Sequence, residues 1–260
     1  MKTVRTIEEL RAQVAPGAGL VPTMGALHAG HRALFAAARA ENDVVVASLF
    51  VNPAQFGESA DLAAYPRDEE RDARVAEESG VDVLFAPSAD EMYGAGFGTW
   101  VEVDDAGAEG DERPGHFRGV ATVCLKLFNI VRPARAYFGQ KDAGQAVVIR
   151  RLVRDLNLEL EIRVLPTVRD PDGLALSSRN GRLSAEERER ALGLPRALAR
   201  GAAAFAEGGD AVAATRAALN GLNPDYVEIL AVDGAELLTA AVRIGSTRLI
   251  DNVLLKGELR

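Results

Sequence analysis

The chain has 260 residues, 48% hydrophobic and 26% charged, which suits one large or two modest domains around a sizeable core. A net charge of −8 at pH 7 speaks against a general nucleic-acid binder, which carries a basic stripe, but leaves room for a local cationic pocket. The single cysteine, Cys124, excludes an intrachain disulfide, and the longest uncharged apolar run, VVVASLFV, is far too short to span a bilayer.

The N-terminus, MKTVRTIEEL, is charged where a secretory leader needs an apolar run, so a cytoplasmic protein is expected. Thr6 and Glu9 form a capping box that predicts a helix to about Val14. A strand is predicted at Leu20 to Pro22 and a helix from about Gly30 to Glu41. Asp43 to Val51 reads as a β-branched strand buried on both faces. Pro66 and RDEERD suit a helix start, and Gly80 its end. VDVLFAP is the next strand, HFRGVATVCLKLFNIV a helix, ARAYFG a strand, AGQAVVIRRLVRDL a helix and ELEIRVLPTV a strand.

This alternation predicts an α/β fold, a Rossmann-like doubly wound parallel sheet over residues 1–168. Ligands of such sheets bind beyond the carboxyl ends of the strands, at the switch point. The loops after Val21, Val51, Phe138 and Val168 are therefore where chemistry is expected. The polar segment RDPDGLALSSRNGR reads as a linker, with a boundary near Arg169. Beyond it, residues 169–260 read as a small α+β domain. Ser184 and Glu187 cap a long helix kinked at Pro195, a second helix covers about Asp210 to Leu219, and DYVEILAV and RLIDNVLL are strands.

Two of the three histidines, His28 and His31, fall within PTMGALHAGH, after the first of these strands. Spaced i and i+3 at a helix start, they share a face beside free N–H groups and a positive helix end, a natural anion site. Gly25 and Gly30 let a phosphate approach the backbone. Two idle surface histidines or a zinc pair are the alternatives; zinc wants three or four ligands, and only His116, Cys124 and carboxylates remain. Asn52 and Gln55 suit a ligand with hydroxyls or amides. Gly139, Lys141, Asp142 and Gln145 form a second candidate phosphate and ribose loop. Ser177, Ser178 and Arg179 could wrap phosphate oxygens, and Arg113, His116 and Arg118 carry further polar groups. With no obvious nucleophile–base pair, no Walker loop and no G-x-G-x-x-G, the set predicts a nucleotide site that works by charge stabilisation.

PTMGALHAGH, FVNPAQFG, YPR, RPGHFRGV, FGQKD and LALSSRN, in that order, resemble the blocks of the pantoate–β-alanine ligase (pantothenate synthetase) family. The H-x-G-H segment alone marks only the wider nucleotidylyltransferase superfamily. The resemblance implies a two-step reaction: (R)-pantoate attacks the α-phosphate of ATP, then β-alanine attacks the adenylate, giving pantothenate and AMP. It implies that Met24, Gly25, Ala26, Leu27, His28, Ala29, Gly30 and His31 bind ATP, with His31 as proton donor and His28 on the phosphates. Gly139, Gln140, Lys141 and Asp142 would hold ribose and phosphates, Val168 the adenine, and Leu176, Ser177, Ser178 and Arg179 the triphosphate. His31, His28 and Lys141 would be catalytic. Gln55, Gln145 and Asn52 would take pantoate and β-alanine, and Asp72 would be linked to magnesium, the implied cofactor. A homodimer is implied as well. The chain departs from the family in Gln140, where an acid is usual, in Ala143-Gly144, where an aromatic and Gln are usual, and in Leu176, where Met is common. Gly144 predicts a looser start to its helix.

Overall fold

The structure, a computed structural model, describes residues 1–57, 62–104 and 107–259. Among them, no helix is long and apolar enough to cross a membrane. Six parallel strands form one sheet: β1 (Lys2–Val4), β2 (Gly19–Thr23), β3 (Val45–Leu49), β4 (Val83–Phe85), β5 (Arg135–Gly139) and β6 (Glu161–Leu165). Their order is β1-β4-β3-β2-β5-β6, and all pairings are parallel. Helices α1 (Ile7–Gln13), α2 (Ala29–Glu41), α3 (Glu69–Glu78), α4 (Ala89–Met92), α5 (Ala108–Glu112), α6 (His116–Val131) and α7 (Ala143–Asp155) accompany this sheet. The expected α/β fold with a smaller α+β part is what the chain forms.

Side chains alternate across the strands, so the sheet is buried on both faces. Leu20, Val46, Phe85, Ala136 and Phe138 enter the core shared with α6 and α7. Val21, Val45, Ala47, Leu84 and Tyr137 enter the opposite core, against Phe35 of α2 and Ala76 of α3. The capping box of Thr6 and Glu9 is present at α1, and that of Ser184 and Glu187 at α8 (Ala185–Ala191).

The carboxyl-terminal part packs α8, α9 (Gly193–Ala206) and α10 (Ala211–Ala218) on an antiparallel sheet of β7 (Pro224–Val232), β8 (Ala235–Ile244) and β9 (Thr247–Lys256). The expected long helix breaks at Leu192, three residues before Pro195. A proline ring collides with the carbonyl four residues back, here that of Ala191, so the break precedes it.

Two strands were not expected from the sequence. β1 has only three residues and pairs only with β4. β8, AELLTAAVRI, is rich in alanine and leucine and lacks alternation, yet it is the central strand and is buried almost throughout. Its two neighbours and the helices above it override its local preference.

The order of strands places the reversal between β2 and β5, which are neighbours at the centre of the sheet. Here the ladder is short. β2 pairs with β3 at five positions but with β5 only at Gly19 and Leu20. Gly19 donates to Val44 and Thr23 accepts from Phe50, so both bond on the β3 side. By alternation Pro22 faces β5, and it has no N–H to offer. The strands part beyond Leu20, and a crevice opens at their carboxyl ends.

Candidate active site

A cavity of about 260 Å³ occupies this crevice. His28, His31, Lys141 and Asp142 border it from the ends of β2 and β5. Met24, Gly30, Asn52, Gln55, Gly139 and Gln145 also reach it. Val168, Leu176, Ser177, Ser178 and Arg179 close it from the segment after β6. Residues from four separate loops, selected by sequence reasoning, therefore meet in one place. Gly25, Ala26, Leu27, Ala29 and Gln140 do not line the cavity; Leu27 lies in the core, and the others shape the loops.

The turn into α2 is held open by a carboxylate. Ala26 is left-handed at φ 52° and Gly25 at φ 89°, a sharply folded backbone. Asp72, on α3 and 1% exposed, accepts from Ala26 N–H through Oδ2 and from Leu27 N–H through Oδ1, both at 2.8 Å. A Cβ on Gly25 would lie 2.8 Å from that same Oδ2. These bonds do not fit the expected magnesium role. Each oxygen of this buried carboxylate is committed to the backbone, and Asp72 lies outside the cavity lining. Among the described residues no group of three or more His, Cys, Asp or Glu could hold a metal ion.

His28 is the N-cap of α2. Its Nδ1 accepts from Gly30 N–H at 3.1 Å, while His31 Nδ1 accepts from His28 N–H at 3.2 Å. An imidazole whose Nδ1 accepts carries its proton on Nε2. Both rings are thus fixed as Nε2–H donors, with centroids 4.2 Å apart. A Cβ on Gly30 would lie 2.8 Å from His28 Cε1, so only glycine lets that ring fold over the helix start. Burial lowers both pKa values, that of His31 to about 3, and the nearby Lys141 adds to it. In the free protein the pair is neutral and offers hydrogen bonds rather than an imidazolium proton. The proton available for the donor role expected of His31 is the one on Nε2.

Across the crevice, Lys141 Nζ lies 3.3 Å from Asp142 Oδ1. Burial opposes ionisation of Asp142, but Lys141 outweighs it and keeps the carboxyl below its usual range. Asn252 of β9 pins this loop. Its Nδ2 donates to the carbonyls of Gln140 and Lys141 at 2.8 and 3.0 Å, and its Oδ1 accepts from Gln140 Nε2 at 3.0 Å. The unusual Gln140 thus forms an amide pair with the carboxyl-terminal sheet. Gly144 is likewise a packing choice. A Cβ there would lie 2.8 Å from Phe117 Cζ, so the looser helix start expected from glycine is a tight fit instead.

Asn52 is 1% exposed, and protein groups take its whole amide. Oδ1 accepts from Ala54 N–H and Tyr93 Oη; Nδ2 donates to Gln55 Oε1 and to Gly119 O. It orients Gln55 rather than offering a free group to substrate, unlike the contact role expected for it. Gln55 Nε2 faces the Met24 thioether, a weak acceptor, and retains donor capacity towards the cavity.

Tyr65, Thr167 and Arg113 also border the cavity. Tyr65 belongs to the YPR block, which by itself implies no role for the ring. Its burial, and its hydrogen bond with Ser178, tie the loop before α3 to the loop after β6. Thr167 Oγ1 is buried without a partner beside Val168. An isolated threonine in a loop carries no sequence signal that could have revealed it.

The family model described as pantoate-beta-alanine ligase matches residues 1–254. The chain belongs to the pantoate–β-alanine ligase family. Pantothenate synthetase of Roseiflexus castenholzii is 53% identical, covering 99% of this chain and all of that protein. Its counterpart from Moorella thermoacetica is 50% identical, covering 98% and 99%. The crystal structure of pantothenate synthetase from Thermus thermophilus superposes with a TM-score of 0.93 at 47% identity, covering 98% and 99%. The pantoate-beta-alanine ligase of Francisella tularensis, complexed with beta-gamma ATP and β-alanine, has a TM-score of 0.83 at 37% identity, covering 98% of both chains. Family membership thus covers both sheets and every loop that borders the cavity.

Proposed function

We propose that the chain condenses (R)-pantoate with β-alanine at the expense of ATP, through a pantoyl adenylate, releasing AMP and pyrophosphate. The observation that carries this reading is the meeting of two Nε2–H imidazoles with Lys141 across the β2–β5 crevice, in the cavity that Gln55 and Gln145 also reach.

Pantoate's carboxylate is ionised at neutral pH, so the first step needs no base. Its oxygen attacks the α-phosphorus as the bond to pyrophosphate breaks. The cost lies in negative charge gathering on the phosphates. Lys141 places a positive charge, and His28 and His31 neutral N–H donors, where that charge develops, and the start of α2 adds its dipole. Neutral imidazoles suit this task, since their donors are aligned before the nucleotide arrives. Ser177, Ser178 and Arg179 close over the phosphates, and Val168 and Thr167 meet the base. Magnesium, if it came with the ATP phosphates, would neutralise part of their charge. In the second step the β-alanine nitrogen attacks the acyl carbon, the bond to AMP breaks, and the amine proton passes to solvent or a substrate oxygen. Gln55 and Gln145 hold pantoate.

The nucleotide part spans residues 1–168 and the closing part 169–260, and the protein works as a cytoplasmic homodimer; light scattering would give the mass. Purified protein with ATP, magnesium, pantoate and β-alanine should form AMP only when pantoate is present. ATP binding without turnover would overturn the reading in favour of a non-catalytic nucleotide module.

A further inference from the structure

The geometry points to His116 as a positioning residue for the pantoate half of the site, acting through the backbone of Gln55. His116 opens α6 and is 9% exposed. Its Nδ1 lies 2.9 Å from the Gln55 carbonyl oxygen, and its Nε2 lies 3.1 Å from Arg113 Nη1. A guanidinium only donates, so Nε2 must accept. The ring proton is then on Nδ1 and is donated to Gln55. Both nitrogens are committed to protein partners, which leaves neither for substrate.

Three contacts converge on Gln55. Asn52 fixes its side-chain oxygen, His116 fixes its carbonyl, and α6 lies flush against its backbone because residue 119 is glycine. A Cβ at Gly119 would lie 2.7 Å from Gln55 N and overlap Ala54. The anchor behind His116 is charged. Arg113 meets Glu109, and Glu109 is held by Arg248 of β9 through two bonds of 2.9 and 2.7 Å. Arg248 Nε donates to Asp225 of β7 at 2.7 Å. A continuous polar line therefore runs from the antiparallel sheet to the Gln55 carbonyl, and His116 is its last link.

The inference rests on Gln55 being a pantoate contact, as proposed above, and two measurements separate the two ideas. The first needs no substrate. The chain has three histidines, so long-range proton–nitrogen spectra of the free protein resolve each ring. Two Nε2–H rings and one Nδ1–H ring, assigned to His116 by its loss in His116→Asn, are expected. A His116 protonated on Nε2 would overturn the inference whatever the enzyme's substrate.

The second measurement is kinetic. In His116→Asn the amide nitrogen replaces Nδ1 and keeps the donor to Gln55. In His116→Gln the side-chain oxygen replaces Nε2 and keeps only Arg113. His116→Gln should raise the pantoate KM about tenfold, as expected for one lost buried hydrogen bond. His116→Asn should stay within about threefold, and the ATP KM should move in neither. Equal damage in both variants, or parallel changes in the two KM values, would reduce His116 to packing. Thermal midpoints of the two variants should agree, which excludes a difference in folding as the cause.

Discussion

Helices α2 and α6 both open on a histidine, and they use the ring in opposite ways. At α2 the Nδ1 atoms of His28 and His31 accept from the helix's own backbone, so Nε2–H is turned outward for a ligand. At α6 the guanidinium of Arg113 takes Nε2, so Nδ1–H is turned inward to hold Gln55. The side chain is the same; His116 is buried, and His28 and His31 are half-buried. What differs is which group reaches the ring first: a backbone donor in one case, an arginine in the other. The tautomer, and with it the role, follows from that neighbour.

The sharpest way to break the comparison is to remove the outward-facing donors. His31→Ala or Lys141→Ala should lower the rate of pantoate-dependent pyrophosphate release by about 10²-fold or more, the usual loss for one aligned donor. Stability should change far less than rate, because both groups point their donors into the cavity rather than into the core. A near-normal rate in both variants would remove the charge-stabilising role of the α2 turn.

Asp72 comes next. Asp72→Asn exchanges one acceptor for an N–H that faces the backbone donors of Ala26 or Leu27. About 2 kcal/mol of stability should be lost, with a several-fold higher ATP KM as the turn loosens. The magnesium concentration for half-maximal activity should stay put. A large rise in that requirement would return Asp72 to the metal.

Acid titration probes both histidine settings together. Burial, with the Arg113 charge beside it, lowers His116 from its ordinary 6.5 to about 4. Between those values the unfolded chain takes up a proton that the folded chain refuses. Stability therefore rises with pH across this window and falls as pH drops towards 4, by about 3 kcal/mol for His116 alone. His31, lowered to about 3, acts in the same direction. Urea midpoints at pH 7 and pH 4.5 should show the loss, and His116→Asn should recover part of it. A flat profile in the wild type would mean that these rings charge freely in the folded protein.

The same contrast explains what could be read from the sequence. The α2 turn was legible because its chemistry is local: glycines, histidines at i and i+3, and a preceding strand fall within ten residues. Five of the six parallel strands were legible because burial on both faces leaves short apolar runs between turn signals, whereas the three-residue β1 is too short for such a run. His116 was only a residue of interest, since its decisive partner is a carbonyl 61 positions away. The backbone bonds of Asp72 were hidden for the same reason, as they cross 45 and 46 positions. β8 was missed because alanine and leucine favour helix, and only its central place in the sheet makes it a strand.

The smallest expected effect lies where the two helix starts touch. Gly144, in the first turn of α7, faces the ring of Phe117, the neighbour of His116 on α6. Gly144→Ala gains about 1 kcal/mol of helix propensity. Against that, the new methyl would sit 2.8 Å from Phe117 Cζ, and that ring, 5% exposed, has little room to retreat. Overpacking of this kind costs about 1–3 kcal/mol, so a net loss of about 1 kcal/mol is expected. The displacement would press on the start of α6, so the pantoate KM should rise about twofold while the ATP KM stays constant. If Gly144→Ala instead stabilises the protein and leaves both constants unchanged, the contact between α6 and α7 is loose, and Gln55 is held from the side of His116 alone.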